Sequence, residues 1–372
     1  MNSVTDVIIS NRNRIYRTIY SNKSISKQEI ATELNLSLPT VTQALKDLYQ
    51  ADLVVKNGFY ESTGGRKAQA ISVQPTARIA IGVEVLKESI KLCAINLCGK
   101  TIKEEFVLFP FSNTTDYYEN FGNIVNSFVD STGIAYDKIL GITIAVQGLV
   151  SNDGSEIVYG QILGITGISV RTFQEHIHLP CRIMHDTEAS AFAELWQHPE
   201  IENAIYIVLN RNLGGALIIN GKVYRGPEFG SCFLEHMRLV PDGKLCYCGQ
   251  RGCFEEYCSV NSLEDAAGMD VEEFFRKLST GDSFVSKIFD DYLLYLSQAI
   301  SSIRTLIDCE IIIGGFLEPF LSDAHFKKLS ELSEKNFAFP SSSFTFRRGC
   351  HGSNAASRGA ALMLINEFIN SI

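Results

Sequence analysis

The segment from His236 to Ser259 reads HMRLVPDGKLCYCGQRGCFEEYCS and constrains the fold more than any other part of the chain. It supplies one imidazole, from His236, and three closely spaced thiols, from Cys246, Cys248 and Cys253. Zn²⁺ favours four tetrahedral nitrogen and sulfur ligands, and a closed Cys₃His set is typical of a structural site. Glycines between the last two thiols allow the tight turn that brings the sulfurs together. We therefore predict a structural Zn²⁺ site; a set of reduced core cysteines is the alternative.

Length and charge divide the chain into parts. A chain of 372 residues is too long for one ordinary core, so two or three domains are expected. The formal net charge is −9, but residues 1–75 hold nine Lys/Arg and six Asp/Glu, which gives +3. The remainder holds 24 and 36, which gives −12. A mildly basic segment on an acidic body indicates that only this segment meets phosphates.

No export signal or membrane span is visible in the sequence. The first ten residues, MNSVTDVIIS, lack the basic and apolar regions of a signal peptide. The longest apolar run, about Ile139 to Val150, is too short to span a bilayer. We therefore expect a cytoplasmic protein that does not associate with membranes, whose ten cysteines stay reduced.

Residues 1–75, called the head below, carry the pattern of a helix-turn-helix. Apolar spacing over Val4–Ile19 predicts a first amphipathic helix. The sequence SKQE at 26–29 is a capping box that opens a second, short helix. A third helix starts at Pro39 and reaches about Tyr49. Two short helices joined by a tight turn place the second of them in the DNA major groove.

A wing is predicted after the third helix. The two short strands lie within Leu53–Tyr60 and Ala68–Val73, with glycine turns. Between them, Thr63–Lys67 forms a flexible basic tip. Hydroxyl and amide side chains suit contacts to base edges, and basic ones suit phosphates. The residues predicted to contact DNA are Thr40, Thr42, Gln43, Lys46, Arg66 and Lys67. The alternative is a three-helix module used only for protein contacts.

The body alternates strands and helices from Ala77 onward. Three strands between Ile79 and Phe109 precede a helix at about 116–131 and a strand at Ile139–Ala145. A similar series starts again at Ala204. Periodicity alone indicates a two-lobed α/β body. Two copies of a β-meander followed by helices are typical of a duplicated ribonuclease-H-like, actin-type fold, with its ligand in the cleft between the lobes.

We therefore predict an α/β protein of three domains. Residues 1–75 form a winged helix-turn-helix DNA-binding domain. Residues 76–195 form a first α/β lobe, completed by a C-terminal helix at 355–372. Residues 196–354 form a second α/β lobe that carries the zinc site.

The cysteine-rich stretch resembles the signature of the ROK family of repressors, open reading frames and sugar kinases. Its matching residues are His236, Cys246, Cys248, Cys253, Glu255, Tyr257 and Ser259. Further matches cover Gly141–Val150, Asp186 with 189–194, Ile311–Gly315 and Arg358–Ala361, while the wing sequence Gly64-Gly65-Arg66 resembles the repressor branch. The resemblance spans nearly the whole chain. It implies a winged-helix regulator that senses a sugar or sugar derivative and binds a near-palindromic operator as a homodimer or homotetramer.

Two departures from the family's kinases predict a protein without enzyme activity. Kinase members cradle ATP phosphates on an early hairpin of the type Asp-x-Gly-Gly-Thr, where glycine lets backbone amides approach. Here Gly82–Lys87 carries side chains instead, and the second phosphate segment, Gly-Thr-Gly-x-Gly in the family, reads NRNLG at 210–214. Phosphoryl transfer depends on positioned phosphates. The alternatives are a ROK-type sugar kinase with a DNA-binding appendage, and a regulator that responds to a protein partner or a non-sugar metabolite.

The resemblance also implies an effector site. Asp186 matches the family's general base, which without a phosphate donor would accept a hydrogen bond from the ligand. Glu255 and His236 match sugar contacts, whereas His185 replaces an Asn and Phe233 replaces a Glu. The predicted effector-binding residues are thus His185, Asp186, Phe233, His236 and Glu255. For each retained residue the alternative is a supporting structural role.

Overall fold

The head folds as three helices beside a three-stranded sheet, as the sequence predicts. The structure, a computed structural model, describes residues 4–60, 68–226, 232–339, 344 and 346–372. In the head, the strands lie in the order β1-β3-β2. The elements are α1 (Val4–Asn22), β1 (Ile25–Ser26), α2 (Lys27–Glu33), α3 (Leu38–Gln50), β2 (Val54–Phe59) and β3 (Gln69–Val73).

Capping groups fix the starts of the two short helices. The amide of Glu29 donates to Ser26 Oγ at 3.2 Å and the amide of Ser26 donates to Glu29 Oε2 at 2.8 Å, which confirms the capping box. Ser37 Oγ accepts the amide of Thr40 at 3.3 Å and caps α3. The wing differs in one detail. Gly58, with φ +80°, lies in an irregularity inside β2 rather than in a turn between strands.

The first lobe is built on a five-stranded sheet in the order β10-β7-β4-β5-β6. Its first three strands form an antiparallel meander, and the other two add in parallel. The elements are β4 (Ile79–Val85), β5 (Ser89–Asn96), β6 (Thr101–Leu108), α4 (Thr115–Ser131), β7 (Ile139–Val146), β8 (Leu149–Val150), β9 (Ile157–Tyr159), α5 (Val170–Gln174), β10 (Cys181–His185) and α6 (Asp186–Gln197).

The second lobe repeats this plan. Its sheet has the order β13-β12-β11-β14-β15, again a meander to which two strands add in parallel. The repeated strand order confirms the predicted duplication. The elements are β11 (Ala204–Val208), β12 (Gly214–Ile219), β13 (Lys222–Tyr224), α7 (Glu255–Cys258), α8 (Val260–Ala267), α9 (Val271–Ser279), α10 (Ser283–Leu306), β14 (Glu310–Gly314), α11 (Asp323–Asn336) and β15 (Phe346–Arg348).

The last helix, α12 (Ala355–Ser371), packs against α6 and against β4 of the first lobe. The approach is close because glycine stands at the contact. A Cβ placed on Gly359 would lie 1.7 Å from the carbonyl oxygen of Ala189, and one on Gly82 would lie 1.8 Å from that of Ser357. Larger residues at these two positions would therefore force α12 away from α6 and from the sheet.

The head shares a hydrophobic core with the body. Ile15 and Ile19 of α1 are buried in the same cluster as Ile365 and Ile369 of α12. Tyr20 Oη donates to the carbonyl of Leu97 in the first lobe at 2.8 Å. The head is thus fixed to the body by α12. Among the helices of the described chain, none combines the length and apolarity needed to cross a membrane.

Candidate effector, metal and DNA-binding sites

A cavity of about 170 Å³ lies between the two lobes. The first lobe contributes loop residues and the start of α6, where the chain leaves the carboxyl end of β10. The second lobe contributes the loop between β11 and β12, the segment around His236, and the loop 246–253 with three of the predicted zinc ligands, called the zinc-site loop below. Polar lining residues of the described chain are Gln147, Tyr159, Gln161, His185, Asp186, Thr187, Asn210, Asn212, Glu235, His236 and Tyr247.

Asp186 lies at the N-terminal end of α6 and is 9% exposed. Its Oδ1 accepts the backbone amide of Thr187 at 2.8 Å and lies 3.3 Å from His185 Nε2. Burial raises the pKa of Asp186 to about 6. Burial lowers the pKa of His185, so the imidazole is neutral at neutral pH. Asp186 is therefore a hydrogen-bond acceptor without a cationic partner in its own surroundings.

Phe233 lines the same cavity, so an apolar ring occupies the part of the wall for which the family has a carboxylate. The structure thus brings His185, Asp186, Phe233 and His236 together around one cavity. Aromatic rings also come from Tyr159 and Tyr247. A wall of this composition can pack against the carbon face of a small polar ligand while the carboxylate binds its hydroxyls.

Glu255 is placed differently from the other predicted effector residues. It is buried, and it is not among the described residues that line the cavity. Its Oε2 accepts the amide of Leu213 at 2.6 Å and its Oε1 accepts Asn212 Nδ2 at 2.9 Å. Glu255 holds the cavity loop between β11 and β12 from behind, and direct contact with the effector remains a prediction.

Glu235 is a lining carboxyl group that the sequence interpretation missed. Burial raises its pKa to about 8. In the family pattern the sugar-binding Glu stands three residues before the zinc His, whereas here a Glu stands directly before His236. The short 3₁₀ turn Leu234–His236 allows this displaced carboxyl to reach the cavity. The sequence did contain a signal for Glu235, because its carboxyl group stands only two residues after Phe233, where the family pattern has its Glu.

The four predicted metal ligands converge. One ligand atom from each of His236, Cys246, Cys248 and Cys253 lies within 4.8 Å of the other three. Cys248 Sγ and Cys253 Sγ are 3.7 Å apart, and Cys246 Sγ is 3.8 Å from His236 Nδ1. A tetrahedral Zn²⁺ with Zn–S bonds of about 2.3 Å places neighbouring sulfurs about 3.8 Å apart. The spacing and the donor set both fit such an ion.

The metal cluster and the cavity share residues. His236 and Cys248 belong to the cluster and also line the cavity. Tyr247 precedes Cys248 in the chain, and its ring centroid lies 5.1 Å from that of the His236 imidazole. The loop that a metal would fix is therefore also one wall of the cavity.

The two phosphate segments show different chemistry from an ATP cradle. On the first hairpin, Glu84 is 2% exposed and its Oε2 lies 3.5 Å from Lys91 Nζ. On the second segment, the side chain of Asn210 accepts the amide of Phe316 at 2.7 Å, and Asn212 is bonded to Glu255. Buried or internally bonded side chains thus occupy both segments.

The exposed face of α3 carries the predicted base-reading residues. Thr42, Gln43 and Lys46 are exposed on α3, whereas Thr40 is half-buried and its hydroxyl lies 2.8 Å from Ser37 Oγ. Lys27, at the start of α2, donates to Thr42 Oγ1 at 3.2 Å and so adds a cation to this face that we did not predict. Arg66 and Lys67 lie outside the described residues.

Comparisons with known proteins agree with this architecture. Residues 80–367 match the model of the ROK family, and residues 10–55 match a winged helix-turn-helix DNA-binding model. The DNA-binding transcriptional dual regulator NagC of Escherichia coli strain K12 is 24% identical over 320 residues, covering 81% of this chain and 79% of that protein. The xylose repressor of Bacillus subtilis strain 168 is 22% identical over 374 residues, covering 97% and 96%.

Solved structures share the fold over nearly all of the chain. A ROK family transcriptional regulator, described as a homolog of the E. coli MLC protein, superimposes with a TM-score of 0.77 at 19% identity, covering 98% of this chain and 97% of that one. ROK sugar kinases from Streptomyces griseus and Thermus thermophilus match about three quarters of the chain with TM-scores of 0.67 and 0.63, at 19% and 22% identity. The chain therefore belongs to the ROK family, with a winged helix-turn-helix ahead of its two-lobed body.

Proposed function

We propose that this protein is a DNA-binding transcriptional regulator, acting as a repressor, that responds to a sugar or sugar derivative. One observation carries the proposal: the cavity between the lobes contains Asp186, and the helix that starts there packs against α12, which in turn contacts the head. A ligand between the lobes can therefore act on the DNA-binding surface. The names of the relatives support the proposal. They include a xylose repressor, an N-acetylglucosamine repressor and the regulator NagC, so they support both a sugar effector and repression of transcription.

The path from the cavity to the head consists of packed helices. Asp186 begins α6, and α6 meets α12 at the glycine contact between Ala189 and Gly359. At its other end α12 shares a buried core with α1. A change in the lobe arrangement that moves α6 would therefore move α12 against α1, since tightly packed helices shift as units.

The cavity walls suit a polyhydroxylated ligand. Asp186 and Glu235 offer carboxyl oxygens, and Gln147 and Asn212 offer amides that can donate and accept. Tyr159 adds an aromatic ring from the first lobe. Hydroxyl groups of a sugar are both donors and acceptors, so such a wall can satisfy them without water.

We assign a structural Zn²⁺ to His236, Cys246, Cys248 and Cys253. The four side chains leave no open position for substrate, and the ion would hold the zinc-site loop as a wall of the cavity. The proposed contribution of these residues is therefore to shape and stabilise the effector site, while the ligand itself is bound by neighbouring groups.

We propose that the protein does not phosphorylate its ligand. On the first hairpin Leu86 and Lys87 stand where the kinase pattern has glycines, and on the second segment Asn212 is bonded to Glu255 where phosphate would be met. A coupled assay with ATP and a panel of hexoses and pentoses tests this. A sugar that is phosphorylated at an ordinary turnover, with the activity lost in Asp186→Asn, would favour a kinase with a DNA-binding appendage.

For DNA recognition we propose Thr42, Gln43 and Lys46 on α3, with Thr40 positioning the start of the helix. Arg66 and Lys67 of the wing would contact the DNA backbone or minor groove. A homodimer or homotetramer in the cytoplasm would place two such heads on a near-palindromic operator, with half-sites separated by roughly whole helical turns.

Operator titrations with and without sugars test the proposal directly. Operator affinity should change at least tenfold in the presence of one sugar of a broad panel, which corresponds to a coupling of about 1.4 kcal/mol. Asp186→Ala should abolish the response while operator binding persists. Deletion of residues 1–75 should abolish operator binding. If no sugar has an effect, a protein partner or a non-sugar metabolite becomes the better hypothesis.

A further inference from the structure

Two imidazoles, of His185 and of the metal-cluster residue His236, and two carboxyl groups face the cavity between the lobes. Asp186 and Glu235 line it, and the carboxylate of Glu255 lies directly behind its loop. Among the described lining residues there is no Lys or Arg. The segment 227–231, outside the described residues, reads PEFGS and so contains neither of them.

The cations in the neighbourhood are already paired. Arg225 lines a smaller pocket that adjoins the cavity at His185, where its guanidinium forms an ion pair with Glu188 and donates to the carbonyl of Asn152 at 3.3 Å. Arg211, between the lining residues Asn210 and Asn212, is paired with Glu264. An anionic ligand would therefore have to break one of these pairs to find a positive charge.

The N-terminus of α6 is the other feature that could hold an anion, because free amides and the helix dipole favour negative charge there. Here it is occupied from within the protein. The amide of Thr187 donates to the carboxylate of Asp186 at 2.8 Å, so the helix already caps its own acidic side chain.

We infer that the cavity selects sugars without a negative charge and rejects sugar phosphates and sugar acids. The inference rests on the proposed function and names the class of its effector. A phosphate or carboxylate needs Arg, Lys or free helix amides to replace its water. Beside the carboxylate of Asp186 it would instead meet charge of its own sign, which is weakly screened away from water.

An ammonium group is compatible with the same walls. It would complement the carboxylate of Asp186, and the aromatic side chains of Tyr159, Tyr247 and Phe233 line the cavity around it. Neutral sugars and amino sugars therefore form the accepted class. In a series of reactions that consumes a sugar, the effector is then the sugar before it is phosphorylated and not the phosphorylated product.

Calorimetry with matched ligand sets tests the inference on the full-length, metal-loaded protein. One set is glucose, glucosamine, glucose 6-phosphate and glucuronic acid, and the corresponding galactose and mannose sets provide the other stereochemistries. In any set that binds, the phosphate and the acid should bind at least about tenfold more weakly than the neutral or amino sugar.

A charge introduced into the wall should reverse part of this discrimination. Gln147→Lys places a cation on the lining and should narrow the ratio between neutral and phosphorylated sugar at least about threefold. Gln147→Met is the matched uncharged control and should keep the wild-type ratio. Thermal melts establish that both variants fold. If Gln147→Lys does not fold, Phe233→Lys provides the same test from the other lobe.

The possible failures can be told apart. A phosphate or acid that binds the wild-type protein as tightly as its parent sugar overturns the inference and leaves the proposed sugar response intact. If no ligand of any charge binds and operator affinity never changes, the proposed sugar response fails and the inference fails with it.

Discussion

The side-chain amide of Gln161, on the first lobe, donates a hydrogen bond of 2.9 Å to the backbone carbonyl of Tyr247, on the zinc-site loop of the second lobe. Both residues line the cavity, and Gln161 is exposed, so the bond lies where the cavity meets solvent. Tyr159 Oη donates to Gln161 Oε1 and so orients the amide. The lobe arrangement of this structure is thus held by a contact at the rim of the cavity.

Gln161→Leu should weaken effector binding about fivefold, because a net hydrogen bond of about 1 kcal/mol no longer favours this lobe arrangement. Calorimetry with the best-binding sugar measures the effect. Tyr159→Phe, which removes only the hydroxyl that orients the amide, should have a smaller effect. Equal affinity in wild type and Gln161→Leu would mean that the rim contact does not contribute to ligand binding.

Cys248→Ala should remove Zn²⁺ and lower the free energy of unfolding by several kcal/mol, because a structural metal site contributes its binding energy to folding. Metal analysis of the purified wild type should give about one Zn²⁺ per chain. Cys258→Ala is the matched control: Cys258 is buried close by in sequence but lies outside the four-residue cluster. It should keep the metal. Zinc retained by Cys248→Ala would contradict the assignment.

The metal site and the head could be predicted from the sequence because their geometry is local. Three thiols within eight residues can meet only in one turn, and the capping box at Ser26 fixes a helix start from neighbouring side chains. The repeated meander was likewise visible in the order of strands. In each case short-range spacing determines which groups meet.

The cavity wall was harder to predict because residues far apart in sequence determine it. A motif match predicts that Glu255 contacts the ligand, but not that each of its oxygens accepts a hydrogen bond from the cavity loop, from Asn212 and from Leu213. Glu235 reaches the cavity through a single 3₁₀ turn. The direction of one side chain depends on loop packing, which neither spacing nor family resemblance specifies.

Gln43→Ala should relax base discrimination at one operator position, with a loss of about 1–3 kcal/mol on the preferred base pair. Lys27→Ala and Arg66→Ala should weaken binding more evenly across sequences and reduce the salt dependence by about one phosphate contact each. Operator-variant titrations at several salt concentrations separate the two classes. A Gln43→Ala variant with unchanged base preferences would remove Gln43 from the set of base-reading residues.

Asp186→Asn should stabilise the protein by about 2–3 kcal/mol above pH 6, since burial raises the pKa of Asp186 from 3.8 to about 6. Between these values the native state binds more protons than the unfolded state, so ionising Asp186 costs stability as pH rises. The difference from wild type should shrink as pH falls from 6 towards 4. Denaturant titrations across this range provide the measurement, and a difference from wild type that does not change with pH would contradict the prediction.

Coupling between effector and operator should depend on the contacts between α1 and α12. Arg12 Nη2 donates to the backbone carbonyl oxygen of Ile372 at 2.8 Å, and Arg17 Nη2 donates to the carbonyl of Asn370 at 3.0 Å. On the same helix, Arg14 Nη2 donates at 3.3 Å to a carbonyl within the head itself. Arg12 and Arg17 therefore contact the C-terminal end of the chain, whereas Arg14 contacts the head itself. All three side chains lie on α1 and each carries one positive charge.

The double variant Arg12→Ala/Arg17→Ala should bind effector and operator, yet the effector should change operator affinity less than in wild type. A loss of about 0.5–2 kcal/mol of coupling is expected for residues along a packed route between two sites. Arg14→Ala should retain the wild-type coupling, because its contact does not cross to α12. Both variants lose positive charge from α1, so comparing them separates mechanical coupling from any electrostatic attraction between α1 and DNA. If the two variants respond to effector equally, the signal does not pass through these contacts.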